Sequence, residues 1–214
     1  AILAKRGKDT LQEIISSYSP RSNWIGLSAS ATYTPTIIEN TQYITKGKLL
    51  ELSSNHKFLF ANSPMGSGKT FSLADILSAN NDKGSLIISP LRVLGRQICK
   101  DLKTSGLNID YRDDITATAN WERIICCLES ISTTGKLKIN PDGSQMIGKI
   151  LVIDEVAQVI ENLLEGGTIS RTRKEVVELF TALIRSAERR IFLSADLTDY
   201  HCELLLKIIG EVDE

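Results

Sequence analysis

The feature that most restricts the fold is an alternation of short apolar runs with segments of helical periodicity. The runs "KFLFAN" (57–62), "SLIISP" (85–90), "ERIICC" (122–127), "KILVIDE" (149–155) and "RIFLSAD" (190–196) carry Ile, Val, Leu or Phe at consecutive positions. A strand with one wet face alternates apolar and polar residues, whereas a run apolar at both parities suits a strand covered on both sides. Between the runs lie "KTFSLADILSA", "LRVLGRQICKDLKTSG" and "TRKEVVELFTALIRSAER", whose apolar residues recur every three or four positions. In the last of these, Val176, Phe180 and Leu183 fall on one helical face. The alternation predicts an α/β fold: a mostly parallel sheet, helices on both faces, right-handed crossovers.

The N-terminal part departs from this pattern. "DTLQEIISSY" reads as helix, and "RSNWIGLSASATYTPTIIENTQYI" mixes Ser, Thr and Pro with short extended stretches. We expect an N-terminal extension over 1–50 that packs on a domain spanning 51–214. "NPDGSQ" (140–145) has the composition of a turn. With 42% apolar and 24% charged residues in a chain of 214, there is ample material for one core. The four cysteines, Cys99, Cys126, Cys127 and Cys202, lack CxxC spacing, and with only two histidines no zinc set emerges. Reduced thiols are expected. No apolar run nears the roughly 18 residues of a membrane span, and "AILAKRG" lacks the order of a signal peptide, so the expectation is a soluble, cytoplasmic chain without a membrane partner. Net charge is −1. Any attraction to nucleic acid must therefore come from a local surface.

"SPMGSGKT" sits between a predicted strand and a predicted helix, and comprises Ser63, Pro64, Met65, Gly66, Ser67, Gly68, Lys69 and Thr70. A triphosphate is held by backbone N–H groups converging on its oxygens, which needs a tight glycine turn opening into an electropositive helix N-terminus. Lys69 would reach the β- and γ-phosphates, and the Thr70 hydroxyl would ligate Mg²⁺. This is the P-loop pattern GxxxxGK[ST] with Ser63 in place of the first glycine. A chance Gly/Ser turn is the plainer alternative. "ILVIDEVAQ" supplies a second acidic site, because a buried strand ends in Asp154 and Glu155 at the carboxyl edge where ligands of such sheets bind. Asp154 would hold Mg²⁺, and Glu155 would orient and deprotonate an attacking water. Acids gathered at a helix N-terminus for dipole reasons are the alternative.

Together these stretches resemble the first RecA-like domain of superfamily 2 helicases. "SPMGSGKT" is similar to their motif I "APTGSGKT", "DEVAQ" occupies the place of motif II, and "LSAD" stands where motif III "SAT" falls. "SPLRVLGRQ" (89–97) resembles motif Ia, and "CCLESI" (126–131) the "TxxSL" segment between Ia and II. Within the superfamily, "DEVAQVIENLLEG" followed by "FLSADLTD" is similar to viral origin-binding-protein helicases and cyanobacterial plasmid replication helicases. The resemblance implies an ATP hydrolase moving on single-stranded DNA, with RNA as the other track, and a second RecA-like domain in cis. It implies coupling roles for Ser194, Ala195 and Asp196, with Asp196 meeting Gln158 or the metal shell. It also gives Gln158 a place at the γ-phosphate, and Arg92, Arg96 and Ser130 contacts with a nucleic-acid backbone.

Plainer readings stand beside these. "SAD" would also serve as a strand end and N-cap, Gln158 as a solvated helix residue, and the two arginines as solubilising charges. Trp24 and Trp121 would stack on bases or, as lone tryptophans commonly do, fill a core. Two rival functions stay open: a P-loop ATPase or kinase independent of nucleic acid, and a non-catalytic partner-binding module. The second RecA-like domain would bring an arginine finger, worth orders of magnitude in turnover, and "KIIGEVDE" ends the chain after one sheet. Slow hydrolysis by this chain alone is expected, as for one piece of a larger replication protein.

Overall fold

The apolar runs become strands: β1 (Phe58–Asn62), β2 (Ser85–Ser89), β4 (Arg123–Cys127), β5 (Ile150–Ile153) and β6 (Arg189–Ser194), joined by a two-residue edge strand β3 (Asp110–Tyr111). The structure, a computed structural model, describes residues 42–116, 121–135 and 137–210. All strand pairs are parallel, in the order β1-β6-β5-β2-β4-β3. The helices are α1 (Lys48–Asn55), α2 (Lys69–Ala79), α3 (Arg92–Thr104), α4 (Val156–Glu165), α5 (Arg173–Ser186) and α6 (Asp199–Ile209). This is the RecA-like α/β fold.

Successive residues along one strand feed two separate cores. Leu86 and Ile88 pack with Val159, Phe180 and Leu205 from α4, α5 and α6. Ile87 points the other way, among Leu73, Leu77 and Leu102 from α2 and α3, with Leu49 from α1. Each side chain so buried contributes about 1.5–3 kcal/mol relative to exposure. Closure of both faces is why the strands read as unbroken apolar runs. Val176, Phe180 and Leu183 all lie in the core face of α5, as their spacing predicts.

Three features depart from the sequence reading or extend it. β3 is too short to leave a periodic signal, and Tyr111 is held there by burial and by its hydroxyl, 3.3 Å from Cys127 Sγ. α1 straddles residue 50 and packs on α2 and β1, so the expected junction between extension and domain falls inside a helix. Trp121 is buried with Lys149 Nζ 4.1 Å above its ring, which makes it a core residue. Trp24 and the expected helix "DTLQEIISSY" lie outside the described residues. Among those described, no helix is long and apolar enough to cross a membrane.

Because every strand runs the same way, all their carboxyl ends share one rim. The P-loop leaves β1 there, Arg92 follows β2, Ser130 follows β4, Asp154 and Glu155 follow β5, and Ser194 closes β6. Parallel topology thus gathers residues more than a hundred positions apart.

Candidate nucleotide and nucleic-acid site

The P-loop is shaped by two left-handed glycines, Gly66 (φ 75°) and Gly68 (φ 91°), the second being the N-cap of α2. A Cβ placed on either would meet no protein atom within 4 Å. Conformation, not crowding by the protein, demands glycine at both, and the space in front of the loop is left for something to approach the backbone closely. Ser63 needs no such freedom, since Glu155 is the one non-glycine residue with positive φ among those described. Its amide donates to the Ser194 carbonyl at 2.9 Å, and its hydroxyl shares a 2.9 Å hydrogen bond with Ser67 Oγ. These bonds explain how the loop accepts serine where the pattern has glycine. Pro64 and Met65 are exposed, while Ser67 is buried and its carbonyl accepts from Ile44 N at 2.9 Å.

Lys69 opens α2. Its Nζ donates to Glu155 Oε1 at 2.9 Å and to the Ser63 carbonyl at 3.0 Å, with the two side chains only 9% and 10% exposed. The Lys69 ammonium is thereby sequestered from solvent. The reason is Glu155, the N-cap of α4, whose backbone sits at φ 48°, ψ 54°. A left-handed conformation at a residue with a Cβ costs on the order of 1–3 kcal/mol, and it aims this carboxylate back across the rim. Glu155 Oε2 also accepts from Ala195 N at 3.2 Å and Ser194 Oγ at 3.5 Å. Motifs I, II and III thus meet on one buried carboxylate.

Asp154 is half-buried, and its amide donates to the Ile88 carbonyl at 2.9 Å, continuing the β5–β2 pairing. Burial, reinforced by the neighbouring Glu155 charge and opposed by Lys69, pushes its carboxyl up to about 6. The folded protein therefore holds a proton at Asp154 that the unfolded chain has already lost above about pH 4. That contribution to stability is complete below the unfolded pKa and disappears as pH rises through 6. Asp154→Asn, neutral throughout, is expected to be more stable than the parent at pH 8, the gain shrinking toward pH 5. Urea midpoints at the two pH values check this; an equal gain at both would refute it.

The residues fit Mg²⁺ with a triphosphate. Thr70, half-buried in the first turn of α2, and Asp154, after β5, offer two hard oxygen donors on the same rim with β6 between their strands, the sparse protein share typical of Mg²⁺ held with phosphate. Gln158 lies in the first turn of α4 and is exposed. Asp196 is exposed too; its amide donates to Ser194 Oγ at 3.3 Å, and the expected contact with Gln158 is not made.

The basic pair on α3 is divided by its surroundings. Arg92 is exposed at the rim. Arg96, one turn on, is held by Asp113 Oδ2 and Asp114 Oδ1, both at 3.3 Å, and lies 4.6 Å above the Tyr111 ring. Any phosphate must compete with those carboxylates for it. Ser130 is buried in a single 3₁₀ turn after β4, so its hydroxyl is not on the surface that Arg92 occupies. Sequence reasoning missed the bonds from Ser194 and Ala195 to Glu155, and the side-chain pairing of Asn62 with Leu197. Only the strand order brings those partners together.

The sheet order, with a glycine loop leaving its first strand, defines a RecA-like α/β domain. The chain matches the Sulfolobus solfataricus SWI2/SNF2 ATPase core solved in complex with dsDNA, with a TM-score of 0.52 and 17% identity over 77% of this chain and 35% of that one. That likeness is one of fold. The family model for the origin of replication binding protein matches residues 32–213, and the chain belongs to that family. Among its relatives, the replication origin-binding protein of Psittacid herpesvirus 1 is 28% identical over 160 residues, 71% of this chain and 17% of that protein. An uncharacterized protein of Picosynechococcus sp. is 27% identical over 160 residues, 72% of this chain and 15% of its own length. The chain spans less than a fifth of either relative.

Proposed function

We propose that this chain is the ATP-binding first motor domain of a replication helicase or translocase that uses Mg·ATP hydrolysis to move on nucleic acid. The observation that carries the reading is the meeting of a glycine phosphate loop, its lysine and a carboxylate pair at one rim. In this reading the domain begins with α1 at Lys48, not at the expected residue 51, and runs to 214 after an N-terminal extension; it acts inside the cell and is completed by a second RecA-like domain in cis. The psittacid relative's name as a replication origin-binding protein, and the dsDNA in complex with the Sulfolobus ATPase core, favour DNA as the partner.

In the proposed cycle, the loop 63–70 wraps the phosphates with the amides of residues 65–70, Lys69 moves from Glu155 to the β- and γ-phosphates, and Thr70 and Asp154 hold Mg²⁺. When bound, Mg²⁺ supplies charge neutralisation at the phosphoryl oxygens. Glu155, released from Lys69, takes the proton of the attacking water, with Ala195 N still fixing its other oxygen. Gln158 faces the γ-phosphate from α4. Ser194, Ala195 and Asp196 relay the state of Glu155 to the nucleic-acid surface. Arg92 contacts the backbone of a single strand there, and Arg96 and Ser130 join it only if their present partners yield.

The test is ATP hydrolysis by this chain and by the longest natural protein containing it, each with and without single-stranded DNA or RNA. Strong stimulation in the long form only is the expected result. Equal, unstimulated activity in both would replace this reading by an ATPase independent of nucleic acid, and no activity in either would leave a binding module.

A further inference from the structure

β1 and β6 pair in register up to Asn62 opposite Ser194, and the Ser63 amide makes one more bond to the Ser194 carbonyl. Beyond that the two backbones must part, because β1 turns into the P-loop and the β6 extension runs on toward α6. The Asn62 side chain spans the gap: its Nδ2 donates to the Leu197 carbonyl at 3.3 Å, and its Oδ1 accepts from the Leu197 amide at 3.4 Å. Each bond is long, but the two are reciprocal, and together they copy the donor–acceptor pair that a strand backbone would have offered. Between the ends of this bridge hangs Ala195, whose amide donates to Glu155 Oε2.

We infer that Asn62 is a positioning residue that clamps the 195–197 segment to the root of the P-loop and so holds the Ala195 amide on Glu155. The inference rests on the proposed role of Glu155 as the base. Only an amide meets the requirement, since one end must donate and the other accept. Aspartate has the shape of asparagine but sets a carboxylate oxygen against the Leu197 carbonyl. Without the clamp, Glu155 keeps Lys69 and the Ser194 hydroxyl but loses the Ala195 amide, so its second oxygen is no longer fixed for proton transfer. Mg·ATP affinity, which depends on loop amides and Lys69, should change little.

The experiment compares Asn62→Ala and Asn62→Asp with the parent in the longest natural protein carrying this chain. Hydrogen exchange without nucleotide should show the Ala195 and Leu197 amides exchanging about fivefold faster or more in both variants, the change expected for losing a bond worth about 1 kcal/mol. Turnover with nucleic acid should fall about tenfold while Mg·ATP binding stays within about twofold, an order-of-magnitude expectation for a displaced base. Exchange unchanged at both amides overturns the clamp, whatever the activity. Faster exchange with unchanged turnover also overturns it as a positioning device. If the parent itself hydrolyses no ATP, the motor reading fails, and the exchange result alone decides whether Asn62 holds the segment.

Discussion

Lys69→Ala will remove Mg·ATP binding and, at the same time, weaken the fold. A lysine standing in water would be lost without structural consequence, but here its removal leaves Glu155 a buried carboxylate with only the Ala195 amide and the Ser194 hydroxyl for company. Breaking a buried pair from one side costs about 3–5 kcal/mol, and the surviving donors place this case near the lower figure. Loss of the phosphate-binding charge should lower turnover by about 10²–10³, the scale seen when one transition-state donor is removed. The double variant Lys69→Met with Glu155→Gln separates the two effects. It has no orphan charge, so its urea midpoint should recover most of the stability lost in Lys69→Met alone, while Mg·ATP binding stays absent. Normal nucleotide binding by Lys69→Ala would disprove the phosphate-loop reading. An unchanged midpoint would show that the ion pair adds nothing to the fold.

Glu155→Gln should separate binding from chemistry. The amide has the same shape but a single acceptor oxygen, so it accepts either from Lys69 or from Ala195 and Ser194, and it cannot take a proton from water. General-base catalysis is worth about 10²–10⁴, so turnover should drop by about a thousandfold. Binding should tighten, because Lys69 then leaves a neutral hydrogen bond for the phosphates instead of a buried ion pair. The difference between those two bonds is about 1 kcal/mol, or about fivefold in Kd. Calorimetric titration with Mg·ATP and a steady-state assay on the same preparation give both numbers. Undiminished turnover would remove Glu155 from the role of base; weaker binding would mean that the Lys69 ion pair does not compete with phosphate.

The two results bear on how the site was legible. Gly66 and Gly68 were legible as a tight loop because a left-handed backbone is a local requirement, and local geometry is written in adjacent residues. The carboxylates of "VIDE" were readable for a similar reason: a buried run must end somewhere, and two acids at its end lie at the rim. Arg96 was readable as a charge but not as a charge already spoken for, since Asp113 and Asp114 lie seventeen and eighteen residues further along the chain. Asp196 and Gln158 were joined by analogy with a family motif, and the fold keeps both at the surface.

By itself the sequence determined the layer architecture, the strand identities apart from β3, the helix faces and the glycine loop, because each rests on periodicity or backbone freedom expressed within a dozen residues. Tertiary structure alone decided that β1 lies beside β6 and β6 beside β5. From that order follow the Lys69–Glu155 pair across 86 positions and the Asn62–Leu197 clamp across 135. Such contacts leave no mark in either partner's neighbourhood. They exist because a parallel sheet brings every strand's carboxyl end to one rim, where a lysine, a carboxylate and an amide meet that the chain holds far apart.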